Sequence, residues 1–323
     1  MKKIMKWFSI SFLILMIVFI GSVYSFHKFK ENNEKALLEN NTGKLVDFNG
    51  KKINVYSEGK GADTFVFMAG SAVAAPMYEL KSLYRKFSKE DNIAVVERAG
   101  YGYSDVFNDD RDIDVILDQT RKALIKGGNK PPYILVPHSI SGIEAIYWAQ
   151  KYPNEVKAIV ALDIGLPSQY IKHPVGLAEK TFMKAGNVLS ELGFQRVFSI
   201  LAYNDAVLDK DYLTSKEKDI FKAISNKQGI NTDMKQEMLN SVDNSKKSTA
   251  LPVPKTTPIL FIDAYLDKNS EAAKASLKDY QDFAKQLDAS SVIQIKSKHS
   301  IYLYHPTKIY EETQKFMQEM VEN

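Results

Sequence analysis

The longest apolar run comes first in the chain. Residues 7–26 carry no charge and are interrupted only by Ser9, Ser11, Gly21, Ser22 and Ser25. As helix, about 20 such residues cross a bilayer core of about 30 Å. The run therefore predicts a transmembrane helix inside an N-terminal anchor over residues 1–30. Lys2, Lys3 and Lys6 precede it, which favours an inside N-terminus and an outside body. The competing reading is a signal peptide cut after Ser25, with Val23 and Ser25 at the small positions. The run is longer than the usual apolar region of about 7–15 residues. The anchor reading gives a single-pass cell-membrane protein with its body on the extracytoplasmic side. The other gives a secreted protein after signal cleavage. Residues 31–43, with Asn32, Asn33, Asn40 and Asn41, read as a polar spacer.

The periodicity then changes. Residues 44–48 and 52–57 alternate around Asn49-Gly50, a hairpin signal. Short apolar runs at 64–68, 93–96, 133–136 and 156–162 read as buried strands. Between them, 77–88, 112–125 and 143–151 carry apolar residues at helical spacing. Strands alternating with helices predict a mostly parallel central sheet with helices on both faces. The rhythm stops at 166–252, which shows helical patterns and no buried strand. It resumes with strands at 259–262 and 292–295, a helix at 271–287 between them and an amphipathic helix at 308–321. The organisation expected is an α/β core over 44–165 and 253–323 with a helical cap inserted at 166–252.

Charge and composition narrow the chemistry. Five of the 43 basic residues, Lys2, Lys3, Lys6, Lys28 and Lys30, lie in the first thirty positions with no acid among them. The other 38 meet 39 acidic residues, so the body is near neutral and has no basic stripe for nucleic acid. With no cysteine, disulfides, thiolate metal sites and cysteine nucleophiles are excluded. The five histidines form no metal-ligand motif, and no glycine-lysine loop cradles a phosphate. No metal and no cofactor are expected.

The sharpest motif is Val136-Pro137-His138-Ser139-Ile140-Ser141-Gly142, between a strand and a helix. A serine on such a turn presents its hydroxyl off the carboxyl end of the sheet, beside the N–H that opens the helix. The plainer reading is a serine capping that helix. With Met68-Ala69-Gly70-Ser71 after an earlier strand, and Glu97-Arg98-Ala99-Gly100-Tyr101-Gly102-Tyr103-Ser104 after another, the chain resembles the α/β-hydrolase superfamily over residues 45–320. Pro137, Ser141 and Ala69 depart from the family's usual glycine, glycine and histidine.

The resemblance implies an α/β-hydrolase fold and a set of roles. Ser139 would be the nucleophile. The backbone N–H groups of Ser71, with Gly70 the near alternative, and Ile140 would form the oxyanion hole. His299, after the last strand and seven residues before Pro306, would be the base. His27, His138, His173 and His305 are set aside by position. Asp267 falls on the family's acid position, with Asp263 and Asp163, each ending a strand, as rivals. Arg98 would be a structural ion-pair partner. The elbow carries Ser where relatives that open epoxides or displace halide carry Asp. The expected activity is therefore that of a serine hydrolase cleaving a carboxylic ester or related acyl bond of a small-molecule substrate. A serine aminopeptidase or amidase would need acids in the cap, for which Glu179 and Glu191 are the early candidates. A silent, ligand-binding relative is the third reading, argued from Pro137. Phe182, Met183, Leu189, Leu192, Phe194, Val197 and Phe198 either line an acyl pocket or pack the cap itself.

Overall fold

The turn signals and apolar runs resolve into eight strands and thirteen α-helices in the computed structural model, which describes residues 2–39 and 41–320. The chain opens with helix α1 (Lys2–Leu38). A hairpin follows, β1 (Lys44–Phe48) and β2 (Lys51–Glu58), turning on Asn49 and Gly50, both at positive φ. Then come β3 (Thr64–Met68), α2 (Pro76–Glu79), α3 (Lys81–Phe87), β4 (Asn92–Glu97), α4 (Ile113–Gly127), β5 (Tyr133–Pro137), α5 (Ser141–Lys151) and β6 (Val156–Leu162). From β6 the chain enters α6 (Pro167–Lys172), α7 (Leu177–Glu191), α8 (Ser215–Gln228), α9 (Thr232–Leu239) and α10 (Ser241–Thr249). Three 3-10 turns lie between α7 and α8, and no strand occurs in this stretch. The core closes with β7 (Ile259–Tyr265), α11 (Glu271–Ala284), β8 (Ser290–Lys296), α12 (Ile301–Tyr304) and α13 (Pro306–Met320). Position 321, given above to the last helix, lies outside the described residues.

The strands form one sheet in the order β1-β2-β4-β3-β5-β6-β7-β8. Only the β1–β2 and β2–β4 pairings are antiparallel. One core lies on each face. Phe65, Phe67, Val136 and Ile262 point into the first, and Val66, Met68, Leu135 and Phe261 into the second. This is why the central strands read as unbroken apolar runs rather than alternating ones. The chain runs from β3 to β4 on one side and then returns to β5 on the other. Ligands in open α/β sheets bind at the carboxyl ends of strands flanking such a reversal.

Two expectations are corrected. The strand expected at 259–262 continues to Tyr265, pairing Asp263, Ala264 and Tyr265 with Gln294, Ile295 and Lys296. The spacer expected at 31–43 is helical as far as Leu38. Glu34 of that stretch, and His27 just before it, have a partner in the helical insertion. The Arg196 guanidinium forks onto Glu34, with its Nη1 and Nη2 donating at 3.0 and 2.7 Å, and its Nε donates to His27 Nδ1 at 3.0 Å. Gly193 makes this approach: a Cβ there would lie 2.4 Å from the His27 Cβ. Helix α1 is long and apolar enough to cross a membrane, with a mean hydropathy of 2.2 over its most apolar window.

Candidate active site

The site is built where β3, β5 and β6 end. Each of these strands delivers a non-glycine residue at positive φ: Ala72 at 58°, Ser139 at 57° and Asp163 at 44°. Such backbone strain costs about 1–3 kcal/mol per residue, gathers at functional sites and persists only where surrounding bonds enforce it. At Ser139 those bonds are visible. Its N–H donates to Leu162 O at 3.4 Å, and its carbonyl accepts from Gly142 and Gly165 at 3.0 and 3.1 Å. His138 N–H goes to Met68 O on β3, so the N–H direction alternates along this segment. Pro137, like Ser139, faces β6 and simply withholds one ladder donor there. Ser141 replaces the usual small glycine with a clasp. Its hydroxyl reaches the carbonyls of Met68 and His138 at 2.9 and 2.8 Å and accepts from His138 N–H at 2.9 Å.

The donors beside Ser139 are free. Neither the Ile140 nor the Ser71 N–H donates to any group among the described residues, and the Ser71 hydroxyl is buried without a partner among them. Gly70 lies against Ser139: a Cβ on it would sit 2.8 Å from His138 Nδ1 and 3.0 Å from Ser139 Cβ. Arg98 fixes this loop from below. It is buried, donates from Nη1 to Ala69 O at 3.0 Å, and pairs through Nη2 with Glu237 of α9 at 2.7 Å. The neighbouring Glu97 is also buried. It accepts from Asn54, Met77 N–H and Tyr103 N–H, and Gly102 at φ 57° leaves the room its carboxylate fills. The motif 97–104 therefore supports the site without touching its open face.

His299 is exposed, and its Nδ1 meets Asp163 Oδ2 at 2.6 Å. The second Asp163 oxygen accepts from Ala264 N–H at 3.0 Å. The carboxylate on the histidine is thus Asp163's, and the expectation of Asp267 is corrected. Asp267 stands beyond the extended end of β7, where its Oδ1 accepts from Asn269 N–H at 3.0 Å within its own turn. Asp263 is buried and held by Ser276 and Gln294 at 2.7 and 2.8 Å. Ser139 stands in the turn after β5 with Ile140 next to it, and Ser71 stands on the loop after β3. No hydrogen bond ties the Ser139 hydroxyl to another described residue.

His138 is closer to the site than strand alternation implies. Its ring packs 4.5 Å from that of His299, and its Nε2 lies 3.0 Å from His299 O. Burial and the neighbouring imidazole push its pKa down to about 3, so it stays neutral and donates that Nε2 proton. It serves as a prop for His299. Behind it, Tyr302 stands edge-on at 4.9 Å and donates to buried Glu79 at 2.7 Å.

Burial pushes the Glu79 carboxyl up to about 7, partly opposed by the Tyr302 bond. The folded protein holds a proton that the unfolded chain releases near pH 4.5. This contribution to stability is full below that pH and is lost as pH rises through 7. Between pH 5 and 8 the Glu79→Gln variant is expected to gain about 2–3 kcal/mol relative to the parent, at about 1.36 kcal/mol per pKa unit. Urea unfolding of both proteins at the two pH values checks this, and an unchanged difference refutes it.

A cleft of about 420 Å³ opens beside Ala72, walled by Phe182, Ile200, Leu201, Tyr203 and Ile230 of the insertion. Met183, Leu189 and Phe194 instead pack with Ile230 and Met234 inside the insertion. Val197 and Phe198 are exposed. Glu179 accepts from Gly176 N–H at the start of α7, and Glu191 lines a separate groove against α1. Among the described residues, no group of three or more His, Cys, Asp or Glu is arranged to hold a metal.

No family model matches the chain. Among curated proteins it is 51% identical over 320 residues to the uncharacterized protein YbdG of Bacillus subtilis (strain 168), covering 98% of each chain. Among solved structures it resembles the Bacillus megaterium epoxide hydrolase, with TM-score 0.62 and 16% identity, covering 85% of this chain and all of that one. It also resembles an Acinetobacter baumannii protein named as a lipase, lip1, with TM-score 0.61 and 15% identity, covering 91% of this chain and 96% of that one. These two likenesses are of fold.

Proposed function

The chain belongs to one family with Bacillus subtilis YbdG and has the α/β-hydrolase fold, and from that premise we propose that it is a membrane-anchored serine hydrolase of carboxylic esters. The observation that carries this reading is the pairing of His299 Nδ1 with Asp163 at 2.6 Å, on the sheet edge that also presents Ser139 at φ 57°. A carboxylate on Nδ1 keeps the proton there and leaves Nε2 as the base. His299 takes the Ser139 proton as the oxygen attacks the substrate carbonyl. The free Ile140 and Ser71 N–H groups receive the developing oxyanion. The imidazolium protonates the leaving alcohol, and His299 then activates water to release the acid.

The elbow residue separates this reading from epoxide opening. The epoxide hydrolase relative shares the fold, but this chain presents a serine hydroxyl, whose acyl-enzyme suits carbonyl substrates. An amidase reading would place an acid on the substrate amine. Asp205 borders the Ala72 cleft, but its carboxylate already accepts from Ser199 at 2.9 Å. Ester substrates fit the largely apolar wall better.

Fluorophosphonate labelling tests the proposal. Stoichiometric label on Ser139 is expected, with none on Ser139→Ala and at least a hundredfold slower labelling of His299→Ala. Folded protein that takes no label would overturn the enzyme reading.

A further inference from the structure

We infer that the cap turn carrying Phe194, Val197, Phe198 and Ile200 is seated in the lipid interface around α1, so that the cleft beside Ala72 takes its acyl substrate from the bilayer. The inference rests on the anchor reading of α1 and deepens the ester hydrolase reading.

The Phe19 ring meets the Phe194 ring edge-on, with centroids 6.0 Å apart. Phe19 lies inside the uncharged run, seven residues before its end at Phe26. At 1.5 Å per residue that is about 10 Å of helix. With residues 7–26 spanning the core, Phe194 therefore lies about 10 Å below the level of Phe26. Interfacial elements bury their apolar faces about 5–10 Å at this boundary. The depth is fixed, because Val23 and His27 are buried against the same turn and Arg196 forks onto Glu34. Helix α1 cannot span and leave this turn in bulk water without breaking those bonds.

The exposed side chains that follow Phe194 in the same turn suit lipid. Val197, Phe198 and Ile200 are 51%, 54% and 75% exposed and lie within four residues of one another. Exposed apolar patches of this kind mark interaction sites. The occupant is the bilayer because the patch is continuous with α1, whose own exposed residues from Ile4 to Phe19 require lipid. Ile200 also walls the cleft that ends at Ala72, the residue after oxyanion donor Ser71. An acyl chain leaving the membrane at Ile200 therefore enters a cleft whose wall includes Ala72, one residue from Ser71. The substrate class is an ester with at least one long acyl chain that partitions into the membrane.

The absence of native cysteine makes the test direct. Single variants Phe198→Cys, Ile200→Cys, Leu13→Cys and Asp288→Cys of the full chain carry an environment-sensitive fluorophore in nanodiscs of phosphatidylcholine and phosphatidylglycerol. Asp288 is exposed beside the start of β8, at the opposite end of the sheet. Nitroxide-labelled lipid is expected to quench positions 13, 198 and 200 at least twofold and to spare 288. Quenching at 13 alone overturns the inference and leaves the anchor intact. Quenching at none of the four overturns both. Quantitative bis-maleimide cross-linking of unlabelled Phe198→Cys pairs in liposomes would assign the patch to a second copy and overturn the lipid assignment. These readouts need no turnover, so they stand apart from the hydrolase reading. In the turnover arm, Val197→Asp with Phe198→Asp is expected to lower the kcat/KM ratio of a bilayer monoacylglycerol to a soluble butyrate ester at least tenfold. An unchanged ratio would refute delivery from the membrane.

Discussion

Replacing Asp163 by Asn is expected to lower kcat for ester hydrolysis by about 10⁴, the scale of a wrong histidine tautomer. The geometry leaves the amide one comfortable orientation. Asp163 Oδ1 accepts from Ala264 N–H at 3.0 Å, so the amide oxygen of Asn keeps that bond. Its NH₂ group then faces His299 Nδ1, where Oδ2 stood at 2.6 Å. The ring must accept at Nδ1 and carry its proton on Nε2. It cannot take a proton from Ser139. Volume and most bonds are conserved, so the variant is expected to fold as the parent does.

The companion variant Asp267→Asn distinguishes the two acids. Its Oδ1 accepts from Asn269 N–H inside an exposed turn, and the Asn amide oxygen can do the same. Its kcat is expected to stay within twofold of the parent. Steady-state kinetics on one soluble ester, with fluorophosphonate labelling rates beside them, check both. A collapse in Asp267→Asn with Asp163→Asn spared would return the acid to the end of β7.

That assignment shows where sequence reading stopped short. The strand at 259–262 is apolar, and Asp263 is the first polar residue after it. Ending the strand there brings Asp267 close to the sheet edge. The sheet instead continues through Asp263 to Tyr265, because Asp263 finds Ser276 and Gln294 as partners from α11 and β8. Strand order supplies the rest. β6 is the direct neighbour of β5, and β7 lies one strand farther, at about 4.8 Å per strand. A carboxylate ending β6 is therefore nearer a histidine that must serve a residue on β5. Pairing order is a long-range property that a strand's own residues do not carry.

What is local was legible. Strands buried on both faces announce themselves as apolar runs between turn residues, which placed 64–68 and 156–162 to the residue, and the alternation before Asn49-Gly50 did the same for 44–48. The strand-serine-helix turn has a sequence signature because its φ, its clasp at Ser141 and its free N–H at Ile140 all arise within four residues. The continuation of α1 was not legible. Residues 27–35 are polar apart from Phe29, and the partners that hold a helix there, Arg196 and Gly193 of the insertion, lie far along the chain.

The second large effect is expected from Gly70→Ala, a change of one methyl group. The added Cβ would meet His138 Nδ1 at 2.8 Å and Ser139 Cβ at 3.0 Å, closer than such atoms stand. Something must shift. The elbow is held by Leu162, Gly142, Gly165 and the Ser141 clasp. The strand below Gly70 is buried throughout, and Arg98 grips Ala69 O while paired with buried Glu237. The loop segment at Ser71 is the part least restrained, since neither its N–H nor its hydroxyl has a partner among the described residues. The displacement therefore falls on Ser71, the proposed oxyanion donor. Losing one such donor costs about 10²–10³ in kcat. That loss is expected here with little change in KM, because the Phe182 and Ile200 walls of the cleft are untouched. The Ser139 label should form more slowly by a similar factor, while the melting temperature moves by only a few degrees, since the sheet and both cores are unaltered. A Gly70→Ala protein with parental kcat would show that Ser71 N–H does not meet the oxyanion, and would move that role to another donor on the β3 loop.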